Sequence, residues 1–141
     1  MLIYLLVGLA LALGVSMYAT FLGFARDRAF YTTLLMVIAA LYVLFAAIGG
    51  SARALATDAF LAIPFVLMAS IGFRRNSWLV VVGLAAHGLL DLVHASIVSN
   101  AGVPSWWPAF CSTYDVAAAG YLAWTLRRPA SLAKPGAQRL S

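Results

Sequence analysis

Residues 78–98 read WLVVVGLAAHGLLDLVHASIV. The run has the length of a bilayer-spanning helix, which takes about 20 predominantly apolar residues, yet it carries His87, Asp91 and His94. At about 100° per residue these three fall within an arc of roughly 60°, so they form one stripe along a helix. A charged side chain at the centre of a bilayer costs about 2.5 to 3.5 kcal/mol even on insertion scales. The stripe must therefore converge on other polar groups, on water or on a metal.

The rest of the chain is equally apolar. Of its 141 residues 65% are hydrophobic and only 9% charged, against roughly 25% charged in soluble domains. Four further segments, residues 2–24, 30–48, about 52–73 and 108–126, have the length and character of spans. The expected fold is all-α, a five-helix transmembrane bundle over residues 1–126, followed by a flexible basic tail at 127–141 rich in Pro, Gly and Ser. The first segment lacks a basic leader and runs longer than the apolar core of a signal peptide, so it reads as a retained span.

Lys and Arg set the orientation of such a bundle. With five spans, Arg26, Arg28, Arg74, Arg75, Arg127, Arg128, Lys134 and Arg139 fall on one side and only Arg53 on the other. This asymmetry places the N-terminus outside and the C-terminus in the cytoplasm, and an even number of spans would destroy it. The plasma membrane, in a bacterium the inner membrane, is the expected location. Trp78, Trp106 and Trp107 lie where interfacial indoles belong, and Pro108 suits a first helical turn. The loop containing Trp106 and Trp107 reads as an interfacial anchor, with a cover over a pocket as the other use. The net charge of +5 comes from basic residues scattered in ones and twos between apolar runs. That distribution argues against a nucleic-acid partner. The one cysteine, Cys111, excludes an internal disulfide and any CxxC motif.

Depth connects the polar residues. There is no Glu, and the four acids are Asp27, Asp58, Asp91 and Asp115. The fourth helix runs outward and the fifth inward, so Asp91 and Asp115 both lie about 10 Å below the outer edge at 1.5 Å per residue. Asp58, early in the third helix, lies about 9 Å down, His94 and Cys111 about 5 Å down, and His87 nearer the midplane. Apart from Asp27 in a loop, every acid and both histidines can meet in one outer-half pocket. Pro64 should free the carbonyl of Phe60 and bend the third helix. Gly83 and the run of small residues at 117–120 should let the fourth and fifth helices approach closely. The tyrosines at 4, 31, 42 and 121 read as packing or anchoring residues.

The chemistry that fits is a metal site with His87, Asp91, His94 and Asp115 as ligands, and with Asp58 and Cys111 completing the polar pocket. Imidazole and carboxylate ligands suit Zn, Fe or Mn. An ion-bound water would then be the nucleophile or base, with Asp91 and Asp115 at the reacting centre and Tyr114 as proton donor. The spacing HxxxDxxH is not the HExxH of zinc proteases, nor the repeated histidine boxes of membrane di-iron hydroxylases. It resembles, with the following FCSTYD, a family of small bacterial multi-pass membrane proteins of unknown function. The resemblance covers about the last third of the chain and rests on His87, Asp91, His94, Cys111 and Asp115. It implies a recurring module and no established reaction. Three functions remain open: a metal-dependent or acid-base enzyme acting on a lipidic or isoprenoid substrate among the membrane lipids; an accessory subunit whose polar stripe is structural or binds a partner helix; and a proton or ion transporter.

Overall fold

A computed structural model describes residues 1–24 and 28–128. Asp27 and the tail beyond Arg128 lie outside the described residues. The described chain forms five helices: α1 (Leu2–Phe21), α2 (Arg28–Ile48), α3 (Ala52–Arg74), α4 (Trp78–Ile97) and α5 (Trp107–Arg127). Their order and number are those expected from the sequence. Helix α1 stops at Phe21 rather than continuing to residue 24, because Gly23 adopts φ 84°, a left-handed conformation that ends a helix. Pro108 does fall in the first turn of α5. Helix α3 stays a single helix through Pro64.

The distribution of side chains is that of a protein with lipid as its solvent. The buried polar set includes Ser16, Thr32, Asp58, His87, Asp91, His94, Ser112 and Asp115, whereas Phe21, Phe60, Leu89 and Leu92 are mostly exposed. In water such a surface would be an aggregation site, and in a bilayer it meets its own kind. Four helices, α1 to α4, are long and apolar enough to cross a membrane, with mean hydropathy between 1.7 and 2.2. Helix α5 has comparable length at 21 residues but is less apolar, because its first half contains FCSTYD.

Packing follows the small residues. Helix α1 buries only Gly8, Ala12, Ser16 and Ala19, a stripe at helical spacing, against α5. A Cβ at Gly8 would strike the carbonyl oxygen of Phe110, so the two backbones are in direct contact. Helix α5 lies between α1 and α4; α4 also packs on α3, and α2 packs on α3 and touches α4. The close approach of α4 and α5 is made at Gly88, whose Cβ would lie 2.9 Å from the Ser112 carbonyl oxygen. Gly83, expected at that contact, instead receives the side chain of Leu35 from α2, and Gly120 faces open space. Ala118 and Ala119 of the same run are buried.

The end of the bundle bearing the α2–α3 and α4–α5 loops is tightly closed. Gly50 turns the chain with φ 68°, and the Ser51 hydroxyl caps α3 by accepting from the Ala54 N–H at 3.2 Å. The α4–α5 loop folds down on this turn, with Gly102 so close to the Phe45 carbonyl that no side chain fits there. Trp107 packs edge-on to Phe45 at 5.0 Å. The loop thus packs on the end of α2 rather than standing clear of the bundle.

Candidate metal centre

Helix α4 presents His87, Asp91 and His94 from one buried face, as the stripe requires. Helix α5 presents Cys111 and Asp115 one turn apart, both buried. His87 Nδ1 lies 2.7 Å from Asp115 Oδ2 and 3.7 Å from Asp91 Oδ2. Cys111 Sγ lies 3.8 Å from Asp115 Oδ2. One ligand atom from each of His87, Asp91, Cys111 and Asp115 falls within 4.8 Å of the other three. All four residues are at most 3% exposed, so the group has almost no contact with its surroundings other than protein.

Two oxygens of this group, Asp91 Oδ2 and Asp115 Oδ1, are buried without a hydrogen-bond partner. Buried carboxylate oxygens are normally satisfied, and an unsatisfied charged acceptor costs more than the roughly 1–3 kcal/mol of a neutral one. A divalent cation held by Asp91 Oδ2 and by the Asp115 carboxylate would lower that cost. The spacings allow it: with bonds of about 2.0 Å to N or O and 2.3 Å to S, tetrahedral ligand atoms sit roughly 3.3 to 3.5 Å apart. The His87–Asp91 and Cys111–Asp115 separations are close to this. The His87–Asp115 contact is a hydrogen bond and would open by about half an ångström on coordination.

The residues expected from sequence separate into two groups. His94 does not join the four. Its Nε2 is 2.8 Å from Asp58 Oδ1 on α3, and Asp58 Oδ2 accepts a hydrogen bond from Asn100 Nδ2 at 2.8 Å. Cys111 stands in the ligand group where the sequence placed His94. Tyr114 is half-buried beside Phe110, their rings 6.1 Å apart, and its hydroxyl makes no hydrogen bond to the four among the described residues.

Two residues join the site that the sequence reading left out. Tyr42 was expected only to pack, but its hydroxyl donates to Asp91 Oδ1 at 2.6 Å while its ring stacks on His94 with centroids 3.8 Å apart. It therefore ties the two groups together. A signal was available: Tyr42 lies six residues before the end of α2, which puts it about 9 Å down, level with Asp58 and Asp91. Asn100, in the loop, also donates to the Tyr42 carbonyl at 3.1 Å and accepts from the Gly102 N–H at 3.1 Å. No periodicity marks a loop residue, so nothing in the sequence pointed to it.

Comparison with protein-family models, curated proteins and solved structures returned no match. The functional reading therefore rests on the site itself.

Proposed function

We propose that this chain is a plasma-membrane metal protein, five-spanning with its N-terminus outside, whose ion is held in the outer half of the bundle by His87, Asp91, Cys111 and Asp115. The observation that carries the proposal is the convergence of these four ligand atoms within 4.8 Å, with two carboxylate oxygens that no protein donor satisfies. One thiolate, one imidazole and two carboxylates suit Zn or Fe better than Mn, and suit Mg or Ca least. The fifth span rests on the eight-to-one division of basic residues as well as on helix length. The resemblance of HGLLDLVH and FCSTYD to a family of small membrane proteins is compatible with this reading, since it rests on these four residues together with His94. The experiment is elemental analysis of detergent-purified protein. About one transition-metal ion per chain is expected, falling to near zero in Asp91→Asn and Cys111→Ser; stoichiometric metal in both variants would place the ion elsewhere.

A second reading, metal-dependent turnover of a lipidic or isoprenoid substrate, is favoured by the position of α4. Leu89 and Leu92, close in sequence to the ligands, are each 63% exposed on its outer side. A lipid tail would be one helix away from the ion. Lipids co-purifying with the wild-type protein and lost from Leu89→Trp would support a lipid binding site there; identical lipid content in both proteins would count against it. The accessory-subunit reading predicts instead that ligand substitutions lower thermal stability with no change in bound metal.

A further inference from the structure

Beyond the ligands, His87 has a second edge. Its Nδ1 faces Asp115 and Asp91, so Nε2 points away from the four-residue group. The ring also borders a cavity of about 10 Å³, which is lined by Tyr42, Asp58, Phe65 and His94 as well. If Nδ1 is to offer a lone pair to a metal, the ring proton must sit on Nε2. A buried Nε2–H then needs an acceptor, and ligand histidines almost always have one in a carboxylate, a carbonyl or a water. Among the described residues no carboxylate or carbonyl is hydrogen-bonded to Nε2.

We propose that the cavity between α2, α3 and α4 holds one water that accepts the His87 Nε2 hydrogen bond and is anchored by the Asp58–His94 pair, which makes Asp58 and His94 positioning residues of the metal centre. The inference rests on the metal reading above. The cavity is near the smallest room a water needs, roughly 10 to 15 Å³, and its wall offers the two to four polar partners that a buried water requires. Asp58 is preset for the role. Each of its oxygens already has one donor, from His94 at 2.8 Å and Asn100 at 2.8 Å, and each retains a lone pair. His94 is held flat by Tyr42, which is itself hydrogen-bonded to Asp91. The pair expected from sequence to contribute a ligand thus acts one layer out, fixing the tautomer of the ligand beside it.

The test is competitive titration of Zn²⁺ against a chelator, using the full-length protein in detergent. Three variants leave all four ligands in place: His94→Phe, which keeps the stack on Tyr42; Asp58→Asn, which keeps the shape; and Ala62→Val, which narrows the cavity with methyl groups alone. Each should weaken Zn²⁺ binding by roughly 10- to 100-fold. A merely structural role would shift melting temperature equally in apo and loaded protein and leave the affinity unchanged. Wild-type affinity in all three variants would overturn the water site while leaving the metal centre standing. A wild-type protein that binds no Zn²⁺, Fe²⁺ or Co²⁺ would overturn both.

Discussion

Tyr42 shows how much one hydroxyl organises. Its 2.6 Å bond to Asp91 and its stack on His94 link the ligand group to the Asp58–His94 pair. Removing the hydroxyl in Tyr42→Phe takes away the donor to Asp91 Oδ1, while Asp91 Oδ2 has no hydrogen-bond partner among the described residues. The expected loss is about 1.5–3 kcal/mol of stability, the range for a hydrogen bond to a charged group, read as a lower melting temperature in detergent; an unchanged value would mean that Asp91 does not depend on this donor. Loading with Zn²⁺ should recover part of the loss, since coordination satisfies the same carboxylate. At this scale the sequence was informative about which residues are polar and at what depth, and uninformative about their partners. His87, Asp91 and His94 share an arc of roughly 60°, but that arc faces two neighbours. Gly88 turns one flank of α4 toward α5, and His94 lies on the other flank, opposite Asp58 of α3. Which flank meets which helix is decided by tertiary packing, and a single helix's periodicity does not encode it.

At the scale of elements, small residues set the contacts and the loops lock them. Helix α1 is held only through its face of Gly8, Ala12, Ser16 and Ala19. Gly8→Val should push α1 off α5, because a Cβ there meets the Phe110 backbone, which cannot move aside as a side chain would. The expected cost is about 1–3 kcal/mol, checked by detergent unfolding. Zn²⁺ affinity should remain at the wild-type level, since α1 supplies no ligand. A large fall in affinity would show that α1 supports the site. Asn100→Ala tests the α4–α5 loop, since it removes two donated hydrogen bonds and one accepted one. Faster metal exchange with chelator is expected, and an exchange rate equal to wild type would show that the loop does not restrict access. The helices themselves were legible as hydrophobic runs of the right length. The contact of Gly83 with Leu35 rather than with α5 was not, because a glycine announces a close approach without naming the partner.

For the molecule as a whole, the described acids and both histidines are buried while many large apolar side chains face outward, as expected of a membrane protein. The orientation proposed from the basic residues can be tested by labelling. The native Cys111 is buried and should stay silent. A cysteine at the exposed Ser105 should react with an impermeant maleimide in intact cells, and one placed at Ala133 only after permeabilisation. The reverse pattern would invert the topology, and labelling of both from outside would remove the fifth span. The fold class was readable because composition and span length are one-dimensional properties. Which polar residues converge was readable in part, because depth is one-dimensional too, whereas the rotation of each helix about its axis is not.

The central claim is that His87, Asp91, Cys111 and Asp115 hold one ion. X-ray absorption at the Zn edge of the loaded protein tests it most directly. The prediction is one sulfur at about 2.3 Å and three nitrogen or oxygen ligands at about 2.0–2.2 Å, with the sulfur lost in Cys111→Ser. A six-coordinate shell of oxygen and nitrogen without sulfur, unchanged in that variant, would contradict it.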